Sequence, residues 1–230
     1  MRKGTAVMTD IKNTRKRILF IVQFSVLLAL EAIFCFTPLG SIPVGPIVAT
    51  TAMIPVIITS FLLGTLAGSA MGFFAGLFSF IVMTFVNPGP MSLFFTPFFS
   101  FGELQGNFMS LIICFVPRIL VGTVTGVCYK FFSFIFAKKE HTKNIFAYGV
   151  AAALGSFINT VLVLGGIYVF FSDMFAQAFE MASNLVFGVI MGIVLTNGVP
   201  ELILSGIVGY LVCRPLKSIF EKRKIKGDSK

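Results

Sequence analysis

The chain has 230 residues, of which 57% are hydrophobic and 12% are charged, and its formal net charge is +9. Soluble domains contain about 45–50% apolar and about 25% charged residues, so this composition excludes a water-soluble enzyme. The four cysteines lie mostly in apolar runs without a CxxC spacing, which excludes a secreted disulfide scaffold. The class that remains is a multi-pass membrane protein.

The basic residues predict the orientation of the chain. Seventeen of the 18 Lys and Arg residues fall into three clusters, with six in residues 2–17, four in 130–143 and seven in 214–230. The positive-inside rule places all three clusters in the cytoplasm, which requires an even number of spans on each side of the middle cluster. No small-residue cleavage site follows the first apolar run, so we expect no cleaved signal peptide.

The apolar segments, taken in chain order, predict six transmembrane helices at 18–36, 47–64, 66–86, 117–136, 145–171 and 200–213. The fourth is expected to start at Pro117, because proline suits the first turn of a helix. Counting residues 185–195 as a seventh span would move the basic C-terminal tail outside. We therefore expect that segment to be a short external or partly inserted helix.

The predicted fold class is thus an all-α membrane protein with six transmembrane helices, both termini cytoplasmic. Pro- and Gly-rich segments such as 37–46 and 87–90 cannot continue a helix, so structured external loops are expected after helices 1, 3 and 5. The predicted domains are a basic cytoplasmic N-terminal tail (1–17), a six-helix membrane domain (18–216) and a basic cytoplasmic C-terminal tail (217–230).

Four glycines at a strict four-residue spacing mark the third span. They form one stripe on a helix, where small residues allow close packing in a bilayer. The stripe predicts tight internal packing or, alternatively, a docking surface for a partner. Ser25 and Ala29 on the first span form a weaker pair of small residues. The glycines are Gly64, Gly68, Gly72 and Gly76.

Arg118 is the one basic residue outside the three clusters. A guanidinium at membrane depth costs several kcal/mol unless it is paired, so it needs an anionic partner. That partner is either an acidic side chain or the carboxylate of a ligand. The acidic candidates are Glu103, Asp173, Glu180 and Glu201.

Three further polar residues are candidates for a binding site. Asn159 lies in the middle of the fifth span and needs a hydrogen-bonding partner, either on another helix or on a substrate. Asn87 ends the third span. Glu201 opens the sixth span, and with Glu31 of the first span it could carry protons in a transporter.

The sequence lacks the residues that several kinds of chemistry require. There is no GxxxxGK[ST] loop for ATP, and the single histidine, His141, lies in the cytoplasmic basic loop. No His/Cys cluster predicts a metal site, and no Ser/His/Asp set predicts hydrolysis. We therefore expect no enzyme activity, no cofactor, no metal and no nucleic-acid partner.

Residues 18–215 resemble the S component of energy-coupling factor (ECF) vitamin transporters. The resemblance is carried by residues 29–32, 36–50 (FTPLGSIPVGPIVAT) and 54–58 (IPVII), and is supported by 117–122 (PRILVG), 159–163 (NTVLV) and 198–201 (GVPE). Pantothenate-type members are the most similar. Family members often carry an Ala-x-x-x-Ala docking pair on the first helix, for which Ser25/Ala29 is the nearest match here.

The resemblance implies a high-affinity vitamin-binding subunit of a bacterial plasma-membrane importer. Its partners would be a transmembrane coupling subunit and two ATPase subunits, and its ligand a vitamin, with pantothenate favoured. Arg118 would meet the carboxylate, Asn159 the amide or a hydroxyl, and Glu201 and Asn87 would complete the substrate site. Docking would use Ser25 and Ala29, with Gly64, Gly68, Gly72 and Gly76 sharing the task. The alternatives are an S component for another vitamin, a self-sufficient proton-coupled porter, and an assembly protein without a ligand.

Overall fold

The computed structural model describes the backbone of residues 2–44, 47–136 and 143–212, and the side chains of 13–40, 51–135 and 146–212. Most of this part of the chain is helical. The elements are α1 (Arg2–Phe36), β1 (Ser41–Val44), β2 (Ile47–Thr50), α2 (Ile54–Leu62), α3 (Thr65–Ile81), β3 (Ser100–Phe101), β4 (Leu104–Gln105), α4 (Met109–Phe136), α5 (Lys143–Ala178), α6 (Val186–Ile193) and α7 (199–212).

Five helical stretches in the described residues are long and apolar enough to cross a membrane. They comprise Asn13–Phe36, Thr65–Val86, Met109–Ile135, Phe146–Ala178 and Ser183–Val212. The predicted class, a helical membrane protein, is therefore confirmed. The expected basic tail at 2–17 is helical and continuous with the first of these stretches. The expected tail at 217–230 lies outside the described residues.

The predicted second span, 47–64, is only partly helical. Its first residues form β2, which pairs antiparallel with β1 so that Ser41 opposes Thr50 and Val44 opposes Ile47. Pro43 and the β-branched residues of this segment favour an extended hairpin over a helix. The helix that follows, α2, has nine residues and is about 14 Å long at 1.5 Å per residue. It is buried on nearly every face, as a helix apolar all round should be.

The predicted start of the fourth span at Pro117 is wrong. Pro117 lies inside α4, which begins eight residues earlier at Met109. Proline lacks an N–H and leaves the carbonyl four residues before it without its helical partner. Here that carbonyl belongs to Ile113, and the Arg118 guanidinium donates to it through Nη1 at 2.9 Å. Arg118 therefore supplies the hydrogen bond that Pro117 removes.

The expected break between 185–195 and 200–213 is also absent. One helical stretch runs from Ser183 to Val212, in which α6 passes into α7 through a π-helical turn at Val194–Gly198. A π-turn accommodates one extra residue without ending the helix, and such turns are frequent at functional sites. The fifth helix likewise continues beyond its predicted end at Phe171, where φ −136° marks a kink.

The glycines of α3 pack inside the protein. A Cβ on Gly72 would lie 2.9 Å from the Ile119 Cα and closer still to the Arg118 carbonyl, and a Cβ on Gly76 would lie 3.3 Å from the Cys114 carbonyl. From the opposite helix, a Cβ on Gly122 would lie 2.8 Å from the Ser69 nitrogen. The backbones of α3 and α4 therefore touch along this stripe, as small residues allow in a membrane.

Two hydrophobic cores occupy opposite ends of the bundle. One is built around α2 and includes Val121 and Tyr148. The other includes Phe94, Phe95 and Ile113, together with residues of α5 and α6. Arg118 lies on α4 between Ile113 and Val121, and its guanidinium contacts Ile113 and Phe95 of the second core.

Candidate functional site

Arg118 is the centre of the candidate site. Its side chain is only 8% exposed. It points toward the N-terminus of α4, as helical side chains do, which brings Nη1 to the Ile113 carbonyl. The guanidinium carbon lies 4.9 Å from the centroid of the Phe95 ring, a cation–π contact. Its Nε has no hydrogen-bond partner among the described residues.

Among the four acidic side chains that could pair with Arg118, Glu201 is the one near it. Glu201 is buried in the first turn of α7 and interacts electrostatically with the guanidinium. Glu103, Asp173 and Glu180 are exposed. The buried charge of Arg118 is therefore balanced in part within the protein, while its Nε is left available to a further acceptor.

The first helix contributes a second acidic group. Glu31 is fully buried, and its Oε1 accepts a weak hydrogen bond from the Cys35 thiol at 3.4 Å. Its Oε2 has no partner in the described part of the chain. Cys35 lies within electrostatic range of Arg118, which connects α1 with the centre of the site.

Asn159 lies on α5, and its Oδ1 is buried without a hydrogen-bond partner among the residues described. The next residue, Thr160, packs against Gly198 of the π-turn. A Cβ added to Gly198 would lie 2.8 Å from the Thr160 methyl group. Gly198 is three residues before Glu201. The contact therefore brings the Asn159 segment of α5 to the turn that leads into α7.

The hairpin of β1 and β2 packs against the same π-turn, through β2. The π-turn is thus contacted both by α5 and by the hairpin, and it leads directly to Glu201. Asn87 lies apart from this group. It is exposed at the end of a second π-turn, Val82–Val86, where its N–H donates to the Val82 carbonyl at 2.9 Å.

The arrangement suits an anionic ligand that also carries hydrogen-bond donors. Arg118 offers a cation with an unused N–H, and burial strengthens its attraction for a carboxylate. The Asn159 Oδ1 offers an acceptor. Sequence reasoning found both residues, because a lone charge and a lone amide stand out in apolar spans. It did not predict that Phe95 contacts the guanidinium, because a contact between distant side chains is not visible along the sequence.

A cavity of about 370 Å³ lies at the kinked end of α5, away from this cluster. Its lining includes Phe171, Asp173, Gln177 and Asn107, and does not include Arg118, Asn159 or Glu201. Phe171 contacts Phe94, whose neighbour Phe95 lies under Arg118.

The proposed docking residues divide into two groups. Ser25 and Ala29 are exposed on one face of α1, the least buried of the candidate spans. Gly68, Gly72 and Gly76 are buried against the neighbouring helices. Gly64 precedes α3 with φ +98°, a left-handed conformation that favours glycine. The glycine stripe therefore forms an internal contact, whereas Ser25 and Ala29 on α1 are exposed.

The comparisons with known proteins agree with this description. The profile of the family described as "ECF transporter, substrate-specific component" matches residues 19–213. The match covers most of the chain, and the protein therefore belongs to the family of ECF transporter substrate-specific components. The resemblance to S components is confirmed.

Two relatives carry the name of a vitamin transporter. The chain is 34% identical to the "Pantothenic acid transporter PanT" of Lactococcus lactis subsp. cremoris (strain MG1363) over 161 residues, which is 67% of this chain and 76% of the relative. It is 26% identical to the "Pantothenate transporter PanT" of Leuconostoc mesenteroides subsp. mesenteroides over 219 residues, or 94% of this chain and 98% of the relative. The chain is a multi-pass bacterial cell-membrane protein of a transporter family.

Proposed function

We propose that this chain is the pantothenate-binding subunit of an ECF-type importer. The observation that carries the proposal is Arg118, a buried guanidinium held by Phe95 and the Ile113 carbonyl with its Nε left without a partner in the described residues. Pantothenate has a carboxylate, an amide N–H and two hydroxyl groups. The names of the two relatives support the same ligand.

In the proposed complex the vitamin carboxylate binds Arg118, since a charge-assisted hydrogen bond is the strongest contact that a buried guanidinium can make. The amide N–H of the vitamin donates to Asn159, whose Oδ1 lacks a partner among the described residues. Glu201 interacts electrostatically with the guanidinium. Asn87 is the proposed outer contact, reached at the exposed end of α3.

The proposed partners are a transmembrane coupling subunit and two ATPase subunits, because the chain belongs to the family of ECF transporter substrate-specific components. We propose that both termini are cytoplasmic and that six segments cross the membrane. The second crossing is then made by residues 47–62.

Docking on the coupling subunit is proposed at Ser25 and Ala29. An Ala29→Leu variant should lose co-purification with the coupling subunit, since a large side chain keeps two helices from close approach. The variant should bind pantothenate as the wild type does. Gly188→Leu is the matched control, because Gly188 is also exposed on a helix with no atom within 4 Å of its Cβ position. An equal loss of co-purification in Ala29→Leu and Gly188→Leu would contradict docking at Ser25 and Ala29.

A second candidate function is a proton-coupled porter, favoured by the two buried carboxyl groups of Glu31 and Glu201. The two functions differ in liposomes that contain only this chain. A porter accumulates pantothenate under a pH gradient and loses this activity in Glu31→Gln. A binding subunit accumulates none until the coupling subunit, the ATPases and ATP are added.

The vitamin itself is tested by the thermal unfolding of the purified chain in the presence of a panel of water-soluble vitamins. A ligand that binds only the folded state raises its stability by RT ln(1 + [L]/Kd), about 2.7 kcal/mol at a hundredfold excess over Kd. We expect the largest rise with pantothenate. A larger rise with another vitamin assigns the chain to that vitamin, and no rise with any vitamin contradicts the proposal.

A further inference from the structure

Glu31 is a buried acidic group that the proposed contacts with Arg118 and Asn159 leave unused. It is fully buried in the outer half of α1. Its Oε1 accepts from the Cys35 thiol, and its Oε2 has no hydrogen-bond partner in the described part of the chain. A buried polar atom without a partner is unfavourable unless a ligand supplies the missing contact. In either protonation state a carboxyl group offers acceptor lone pairs.

Cys35 links Glu31 to the centre of the site. The thiol contacts Glu31 at 3.4 Å and lies within electrostatic range of the Arg118 guanidinium. Cys35 therefore interacts with both Glu31 and Arg118. A ligand whose anionic group binds Arg118 would contact Glu31 through a part of the molecule remote from that anionic group. A hydroxyl group suits the contact with Glu31, because a carboxyl group accepts a hydrogen bond in either protonation state.

Three of the buried side-chain polar atoms without partners in the described residues belong to candidate site residues on three different helices. They are Glu31 Oε2 on α1, Arg118 Nε on α4 and Asn159 Oδ1 on α5. One is a cationic donor and two are acceptors. A complementary ligand has one anionic group and two separate hydrogen-bond donors. A carboxylate, an amide N–H and a hydroxyl group meet these three requirements together.

We propose that Glu31 is a specificity-determining residue that accepts a hydrogen bond from a hydroxyl group of the substrate. The proposal rests on the proposed function and extends it to the end of the vitamin remote from the carboxylate. It assigns Glu31 a role in selecting hydroxylated anions over anions that lack the hydroxyl. A site built to bind a hydroxyl group rejects the analogue without it strongly, because the buried acceptor is then left unpaired.

The test compares two ligands by calorimetry. One is pantothenate, and the other is N-(3,3-dimethylbutanoyl)-β-alanine, which keeps the carboxylate and the amide and lacks both hydroxyl groups. We expect wild-type protein to prefer pantothenate by about 10- to 100-fold or more. Glu31→Leu should lower the affinity for pantothenate by about that factor and leave the affinity for the analogue nearly unchanged, so that the preference disappears.

Three controls make the result specific. Arg118→Ala should weaken both ligands alike, because both carry the carboxylate. Glu31→Gln keeps an acceptor oxygen and should retain most of the preference. If Glu31→Leu cannot be recovered folded, Glu31→Asp replaces it, because the shorter side chain should lose the preference that Glu31→Gln keeps.

The outcomes separate this inference from the proposed function. A wild-type protein that binds pantothenate, with an unchanged preference in Glu31→Leu or Glu31→Asp, overturns the role of Glu31 alone. Equal loss of both ligands in these variants also overturns it, since a merely structural role would act on both. A wild-type protein that does not bind pantothenate overturns the proposed function itself, and with it the contact proposed here.

Discussion

Replacing Arg118 by alanine is expected to reduce the affinity for pantothenate by about 2–5 kcal/mol, which is about thirtyfold to several-thousandfold. The reason is the position of the guanidinium, which is buried, oriented by Phe95 and the Ile113 carbonyl, and has its Nε without a partner in the described residues. Calorimetric titration of the purified variant measures the change directly.

The matched ligand for this experiment is pantothenol, in which a neutral hydroxymethyl group replaces the carboxylate. Arg118→Ala should change its affinity little, because the lost contact is with the carboxylate. Arg118→Lys should recover only part of the affinity for pantothenate, since an ammonium lacks the planar fork of a guanidinium. Equal loss of both ligands would instead make Arg118 a structural residue that only pairs with Glu201 and the Ile113 carbonyl.

Replacing Gly72 by alanine is expected to destabilise the fold by about 1–3 kcal/mol or more, the usual cost of overpacking. The new methyl group would overlap the Arg118 carbonyl and lie 2.9 Å from the Ile119 Cα, so the backbones of α3 and α4 must separate. Thermal unfolding followed with a thiol-reactive dye reports the loss, because Cys114 is buried between these helices and becomes reactive on unfolding.

Gly192→Ala is the control for this prediction. Gly192 lies on α6 with no atom within 4 Å of its Cβ position. The same substitution there should be neutral or stabilising by up to about 1 kcal/mol, because alanine has the higher helix propensity. If Gly72→Ala and Gly192→Ala unfold at the same temperature as the wild type, the close contact of α3 with α4 is contradicted.

The membrane class and the central residue could be predicted because both depend on features visible along the chain. Low charge and long apolar runs exclude a soluble fold whatever the tertiary structure. Arg118 stands out because it is the one basic residue outside the three basic clusters. The small residues of α3 indicate close packing, but only the three-dimensional structure shows that α4 is the helix that packs against them.

The ends of the elements could not be predicted, and each failure has a physical reason. A short apolar run such as 47–50 is as compatible with a strand as with a helix, and its pairing with residues 41–44 decides between them. Pro117 is tolerated inside α4 because Arg118 occupies the carbonyl that it frees. The sequence around Asn197 and Gly198 resembles a helix end, but the helix continues through this segment by way of a π-turn.

The role of Glu31 also depends on tertiary structure. Sequence alone made it a candidate proton carrier, because a carboxyl group in a membrane span is unusual. Whether its oxygens have partners depends on side chains of other helices, which periodicity does not reveal. The contact with Cys35 occupies one oxygen and leaves the other without a partner among the described residues, which is the arrangement expected of a ligand contact.

The most direct test of the central claim is calorimetric titration of the purified wild-type chain, in the absence of any other subunit, with pantothenate. We expect saturable binding at one site per chain, and no comparable binding of pantothenol or of vitamins without a carboxylate. Absence of pantothenate binding by folded protein, or equal binding of pantothenol, would contradict it.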